Sequence, residues 1–197
     1  MSESQSVIDK KKYRTVYLRK RRMLSSKDFD LKNARLLYHF HRFFDSSSAS
    51  LVHSFLSISK NKEVNTWPLV EWLRTQGKQI AISRCSTNSN ELTHYLFENY
   101  DQLKESSYGI PEPQHGIEIT PDSINAVLIP LIVFDRLGQR IGYGAGYYDR
   151  FLAACSSDCL KIGLSLAPPL DKIPFSEAHD VAMDYCITPL GIYDFKT

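Results

Sequence analysis

The sequence lacks the features that mark several common classes of protein. Its 197 residues include 4 cysteines, too few for a dense disulfide framework. No apolar run approaches the roughly 20 residues of a membrane span, and the N-terminus lacks the apolar segment of a secretory signal. Glycine and proline, at 9 residues each, are too few for a collagen-like or low-complexity chain. We therefore expect one globular domain over residues 1–197, located in the cytoplasm and without a membrane partner.

Acidic residues are absent from one strongly basic segment. The 13 residues from Lys10 to Arg22 carry eight of the 24 basic side chains. The other 16 basic and 22 acidic residues leave the rest of the chain with a net charge of −6, although the whole chain carries +2. A charge run of this kind is usually a solvated helix face, but it also suits an arm that binds nucleic acid or another polyanion.

The apolar pattern predicts an α/β layered fold with a mostly parallel central sheet flanked by helices. A basic N-terminal helix follows a frayed segment 1–8, and Ser25 opens a second helix. Cys155 and Cys159 are placed in a helix as small buried residues rather than metal ligands. The expected strands are Leu51–Ile58, Gln79–Arg84, Leu92–Phe97, Ala126–Phe134, Lys161–Ala167 and Tyr185–Thr188, and the other expected helices are Thr66–Gln76 and Tyr147–Ala154.

Three alternating glycines, Gly142, Gly144 and Gly146, follow the most apolar predicted strand and precede a helix. Glycine lets a backbone approach a ligand closely, and a helix N-terminus favours anions. With Arg140 before them, they are typical of a phosphate-binding loop at the carboxyl end of a sheet. The loop is neither a Walker A motif nor a G-x-G-x-x-G fingerprint. The glycines alone fit a tight strand-to-helix turn equally well.

The residues around this loop resemble a known family. The segment FDRLGQRIGYGAGYYDRFL, residues 134–152, closely resembles the glycine-rich motif of the 5-formyltetrahydrofolate cyclo-ligase (methenyltetrahydrofolate synthetase) family. Further blocks are similar in the same order, so that the resemblance spans about residues 10–190. These blocks are Lys10–Arg14, Phe55–Ser57, Glu63–Thr66, Tyr108–Pro113 and a C-terminal set that contains Pro174, His179, Asp180, Met183, Asp184, Ile187 and Thr188.

The resemblance implies a ligase that uses ATP and Mg²⁺ to close the ring of 5-formyltetrahydrofolate. The formyl oxygen takes the γ-phosphoryl group to give an iminium phosphate, N10 attacks the formyl carbon, and phosphate leaves. The products are 5,10-methenyltetrahydrofolate, ADP and phosphate. Phosphoryl transfer needs positioning and charge neutralisation more than covalent help from the protein.

The resemblance also assigns the nucleotide-binding residues. Lys10 and Arg14 match the pair that contacts the triphosphate, and Arg140, Tyr147 and Lys10 are the expected catalytic groups. The loop matches the nucleotide-binding segment, whose members here are Arg140, Ile141, Gly142, Tyr143, Gly144, Ala145, Gly146, Tyr147 and Tyr148. As alternatives, the basic pair forms a solvated helix face and the tyrosines fill the core.

The folate and metal assignments come from the same resemblance. Glu63 matches the folate-binding glutamate, and Leu56 would pack against the pterin or be an ordinary core residue. Arg14 and the loop residues Tyr143, Gly144, Ala145, Gly146 and Tyr147 also line the expected folate pocket. Asp149 and Asp184 match the Mg²⁺ carboxylates, with a helix-dipole acid and a loop or capping residue as the alternatives. Asp180, after His179, either supports the site or fixes a turn.

Three residues depart from the family pattern, and two other functions stay open. Ala145 stands where the family more often has Gly or Lys, Ser83 where proline is common, and Asn65 where an acid is common. The runner-up is a non-catalytic protein that binds folate or nucleic acid on the same scaffold, followed by a kinase-like enzyme acting on another small acid. The first choice expects a monomer, 5-formyltetrahydrofolate with or without a polyglutamate tail as substrate, and no nucleic-acid partner.

Overall fold

The computed structural model of the protein describes residues 3–45, 47–86, 89, 91–106, 109–174 and 180–196, with the backbone alone at 3–8. Tyr108 and His179, named in the motifs above, lie outside these ranges. No helix within them is long and apolar enough to cross a membrane.

An eight-stranded sheet forms the centre of the molecule. Five parallel strands occupy its middle, and antiparallel strands complete both edges, in the order β12-β11-β10-β7-β1-β2-β3-β6. Two small antiparallel pairs, β4 with β5 and β8 with β9, lie outside it. The strands are β1 Leu51–His53, β2 Gln79–Cys85, β3 Leu92–Leu96, β4 Leu103–Glu105, β5 Pro111–Pro113, β6 Glu118–Ile119, β7 Ala126–Pro130, β8 Val133–Phe134, β9 Arg140–Ile141, β10 Leu160–Leu164, β11 Tyr185–Thr188 and β12 Gly191–Asp194.

Four α-helices accompany the sheet: α1 Glu3–Arg22, α2 Ser26–Phe44, α3 Trp67–Thr75 and α4 Tyr147–Ala154. Short 3-10 turns cover Ser59–Asn61, Tyr100–Gln102 and Pro121–Ser123. The hydroxyl of Ser25 caps α2 by accepting the Asp28 N–H at 3.0 Å, which satisfies one of the free N–H groups at the helix start.

Two apolar layers cover the central strands. Helices α2 and α3 pack Phe40 and Leu73 against one cluster, and α4 packs Phe151 against the other. Strand β7 contributes to both clusters, with Leu128 to the first and Val127 to the second, because successive side chains of a strand point to opposite faces. The predicted α/β class with a mostly parallel sheet is confirmed.

Helix α1 packs differently, across the β8–β9 pair. Its apolar stripe is reduced to Tyr13 and Tyr17, which contact a small cluster formed by Val133, Ile141 and Ile173. The helix begins at Glu3, inside the segment expected to be frayed.

Several predicted boundaries were wrong. The strand expected over Leu51–Ile58 ends at His53, and the one expected over Ala126–Phe134 is divided between β7 and β8. Strand β12, at the sheet edge, was missed. The helix expected to hold both Cys155 and Cys159 ends at Ala154, so Cys155 is its C-terminal cap and Cys159 lies in the following turn. All four cysteines are free thiols.

Candidate active site

The glycine loop connects β9 to α4 and requires glycine at two positions. Gly144 has φ of 102° and Gly146, the residue that caps α4, has φ of 69°. Residues with a side chain rarely adopt such angles. A Cβ atom on Gly144 would also lie 2.8 Å from Cζ of Arg14, whereas one on Gly142 would meet nothing within 4 Å. The loop conformation and its contact with α1 thus both depend on Gly144.

Helix α1 reaches the loop and the C-terminal segment through its basic residues. Arg14 donates from Nε to the carbonyl oxygen of Gly142 at 2.9 Å. Lys10 is buried, with 7% of its surface exposed, and its Nζ pairs with Asp180 at 2.8 Å. Part of the basic segment is therefore built into the site, while Lys11, Lys12, Arg19 and Lys20 stay exposed.

Arg140 lies between two carboxylates. Its Nη2 donates to Asp149 at 2.6 Å, and Nη1 donates to the carbonyl oxygen of Val181. Burial lowers the pKa of Arg140, and the charges of Asp149 and Asp180 oppose that effect. Lys10, Asp180, Arg140 and Asp149 thus form a cluster of two cations and two anions beside the glycine loop.

Glu63 is held in the interior of the site by three groups. Its Oε2 accepts the Ile58 N–H at 2.9 Å, and its Oε1 accepts the Tyr143 hydroxyl at 2.7 Å. Arg21 in turn donates to the Tyr143 oxygen at 2.5 Å. Burial raises the pKa of Glu63 above its ordinary value, although these hydrogen bonds and the Arg21 charge oppose the effect.

One cavity of about 660 Å³ joins these groups, a size typical of small-molecule sites. The structure brings to its wall every expected site residue except Asp184. Those residues are Lys10, Arg14, Leu56, Glu63, Arg140, Ile141, Gly142, Tyr143, Gly144, Ala145, Gly146, Tyr147, Tyr148 and Asp149. Asp180 and Ser83 also line it.

Asp184 does not lie at this cavity, and its expected place among the site residues was wrong. It directly precedes β11, where its Oδ2 accepts the Lys161 N–H at 2.7 Å and lies 3.7 Å from the Lys161 ammonium. That end of β11 is opposite to the carboxyl ends of the parallel strands. The carboxylate therefore has a structural role there, joining the starts of β10 and β11.

Sequence reasoning missed several groups of the site. Glu112 and Cys85 line the cavity, and Arg21 supports Tyr143. Ser83 bridges two buried histidines, at 2.6 Å from Nε2 of His53 and 2.8 Å from Nδ1 of His94. Burial lowers the pKa of His94 to about 4 and also lowers that of His53. The sequence did point to Glu112 through the Pro-Glu-Pro motif, to Ser83 as a departure from the family pattern and to Arg21 as part of the basic segment, but it gave none of them a role in the site.

Two groups of side chains that line the cavity differ in chemistry. Lys10, Arg14 and Arg140 surround the glycine loop, which suits phosphate oxygens. Glu63 offers a carboxylate to N–H donors near the apolar side chains of Leu56 and Ile58. Within the described residues no group of three or more His, Cys, Asp or Glu side chains is arranged to hold a metal ion. Mg²⁺ commonly takes one or two protein carboxylates together with phosphate, and Asp149 and Asp180 fit that need.

Comparison with known proteins identifies the family of the chain. The model of the 5-formyltetrahydrofolate cyclo-ligase family matches residues 7–189. The 5-formyltetrahydrofolate cyclo-ligase of Saccharomyces cerevisiae is 31% identical over 166 residues, which cover 72% of this chain and 76% of the relative. The Escherichia coli protein of the same name is 28% identical over 162 residues, 75% of this chain and 82% of that one.

The fold is also that of solved structures. The NMR structure of Aquifex aeolicus 5,10-methenyltetrahydrofolate synthetase superposes with a TM-score of 0.81 at 24% identity, covering 95% of this chain and 93% of that one. At that identity the likeness supports the fold alone, whereas the match over residues 7–189 shows the family. The chain belongs to the 5-formyltetrahydrofolate cyclo-ligase family.

Proposed function

We propose that this chain converts 5-formyltetrahydrofolate to 5,10-methenyltetrahydrofolate with ATP as the phosphoryl donor. The family membership supports the reaction class. The observation that carries the proposal is the meeting of Lys10 and Arg14 with the glycine loop and Arg140 in the same cavity as the buried Glu63. The cations and loop N–H groups suit a polyanionic partner, and the Glu63 carboxylate suits an N–H-rich one.

The reaction is balanced without a covalent enzyme intermediate. The formyl oxygen attacks the γ-phosphorus and ADP leaves, which turns a poor leaving group into phosphate. N10 then forms a bond to the formyl carbon and loses its proton as phosphate departs. Lys10, Arg14 and Arg140 would hold the phosphate oxygens and offset their charge, and the loop N–H groups would fix their position.

Other residues of the cavity would bind the pterin and Mg²⁺. Glu63 would accept hydrogen bonds from the pterin, Leu56 would pack against its ring, and Tyr147 would lie beside the reacting groups. Asp149 and Asp180 would hold Mg²⁺, which supplies further neutralisation of phosphate charge. The monomeric state, the cytoplasmic location and the absence of a nucleic-acid partner stay predictions.

The test is an assay of the purified chain with 5-formyltetrahydrofolate, Mg²⁺ and ATP. We expect the absorbance of the methenyl product to rise only when ATP is present, and its failure to rise would refute the catalytic proposal. Tight folate binding without this rise would favour the non-catalytic alternative.

Two lysines on one helix offer a matched comparison for the nucleotide end. Lys10→Ala removes a buried ammonium at the cavity, whereas Lys12→Ala removes an exposed one, with 69% of its side chain accessible, that pairs only loosely with Asp9. Loss of a charge-assisted contact of about 1.5–3 kcal/mol predicts an apparent ATP affinity about 10- to 100-fold weaker for Lys10→Ala. Equal effects of the two substitutions would mean that α1 acts only through general charge.

A further inference from the structure

The cavity contains a second buried carboxylate, Glu112, which neither the reaction nor the fold accounts for. Glu112 is the central residue of β5, has 7% of its surface exposed and lines the cavity wall. Its Oε1 is buried and accepts no hydrogen bond from any described residue. A buried carboxylate oxygen without a donor is costly, so a protein normally retains one only where a ligand completes it.

Glu112 and Glu63 differ in how far the protein satisfies their carboxylate oxygens. Both oxygens of Glu63 already accept a hydrogen bond from the protein, one from Ile58 N–H and one from the Tyr143 hydroxyl. No ion pair of Glu112 is present among the described residues, and the thiol of Cys85, a weak donor, is close enough for the Glu112 carboxylate to raise its pKa. Glu112 therefore has more unused acceptor capacity than Glu63, the carboxylate that the motif identifies.

The surroundings of Glu112 keep the unused oxygen available. Burial and the neighbouring Glu112 carboxylate raise the pKa of Cys85 to about 11, so the thiol is neutral near pH 7 and supplies no positive charge. Leu92, Ile110 and Pro111 line the same cavity with apolar groups. Tyr148 and Glu63 line this cavity as well.

We propose that Glu112 is a second carboxylate for the pterin, whose Oε1 accepts a hydrogen bond from an N–H donor of the ring. The inference rests on the proposed function, and it names a specificity residue within the same site. The pterin carries amino and ring N–H donors on more than one edge, and a single carboxylate cannot reach all of these edges at once.

The test is isothermal titration of the full chain with 5-formyltetrahydrofolate, without ATP, for the wild type and Glu112→Gln. The substitution keeps the shape of the side chain and removes its charge. Loss of a hydrogen bond to a charged group predicts a Kd about 10- to 100-fold higher. Glu118→Gln makes the same chemical change at an exposed glutamate outside the cavity and should leave the Kd unchanged.

Thermal unfolding of the ligand-free proteins separates this role from a structural one. Since Glu112→Gln removes an unsatisfied buried charge, its unfolding temperature should be equal to or above that of the wild type. A lowered unfolding temperature would make Glu112 a structural residue and overturn the proposal, as would an unchanged Kd.

A smaller ligand tests whether the contact is to the ring. 5-Formyltetrahydropterin, which lacks the aminobenzoyl-glutamate tail, should lose affinity by the same factor in Glu112→Gln. A loss confined to the whole folate would place the contact on the tail and overturn the proposal. A wild-type chain that binds folate without turning it over would refute the proposed reaction alone, and one that binds no folate would overturn both.

Discussion

Replacement of Gly144 by alanine should uncouple helix α1 from the glycine loop. At φ of 102° a residue with a Cβ atom is strained by about 1–2 kcal/mol. The new methyl group would also lie 2.8 Å from Cζ of Arg14, so the guanidinium has to move away. Its movement removes the hydrogen bond to the Gly142 carbonyl, which is worth about 1.5–3 kcal/mol for a charged donor.

The backbone strain and the lost hydrogen bond together predict that Gly144→Ala lowers the free energy of unfolding by about 2–4 kcal/mol. This range is somewhat below the sum of the two contributions, because Arg14 will form part of its contact elsewhere. Urea denaturation followed by circular dichroism measures this loss. The apparent ATP affinity should fall in the same variant, since Arg14 leaves the position from which it would contact phosphate.

Two other glycines provide the controls. Gly142→Ala lies in the same loop without a positive φ and with nothing within 4 Å, so the free protein should keep its stability. Gly77→Ala, after α3, combines φ of 72° with open space, so it should lose only the strain, about 1–2 kcal/mol, and retain its ATP affinity. If Gly142→Ala destabilises the chain as much as Gly144→Ala, the contact with Arg14 is not the cause.

Three further outcomes follow from the site. Tyr143→Phe removes the hydroxyl that joins Glu63 to Arg21, so 5-formyltetrahydrofolate should bind more weakly while the KM for ATP stays constant. A change in the KM for ATP alone would contradict the assignment of Glu63 and Tyr143 to the folate. Asp184→Asn should lower the unfolding temperature and leave the Mg²⁺ dependence of the rate unchanged, since Asp184 lies at Lys161 and not at the cavity. Burial holds the pKa of His94 near 4, so the unfolded chain binds more protons than the folded one between about pH 6.5 and 4. The free energy of unfolding should therefore fall by about 3 kcal/mol as the pH is lowered over that range. His94→Gln should reduce this loss, and an unchanged pH profile of the variant would refute the assignment.

The glycine loop and the basic residues of α1 could be predicted because each forms a recognisable pattern within a short stretch of sequence. Alternating glycines beside Arg140 indicate either a phosphate-binding loop or a tight turn, and the resemblance to the family motif favours the loop and links it to Lys10 and Arg14. The structure supplies the contact that composition cannot show, the guanidinium of Arg14 over Gly144.

Other features depend on contacts between distant segments. The motif around Asp184 does not reveal at which end of the sheet its carboxylate lies, and pairing with Lys161 decides that. The apolar run that begins at Leu51 continues past His53, but the chain leaves the sheet there, and Phe55 and Leu56 serve the cavity instead of the strand. The missing partner of Glu112 is likewise invisible without the tertiary structure.

The position of α1 affects when its contacts can form during synthesis of the chain. Arg14 and Lys10 are bonded to residues 128 and 170 positions later in the chain. During synthesis the helix emerges long before its partners exist, and its two-tyrosine stripe offers little apolar surface to hold it in place meanwhile. Contacts of such large sequence separation slow folding, because the long loop between the partners has to close before the contacts contribute. A chain interrupted before Asp180 would therefore lack the partner of Lys10 and also strands β11 and β12, so both the contact of α1 with the C-terminal segment and one edge of the sheet would be incomplete.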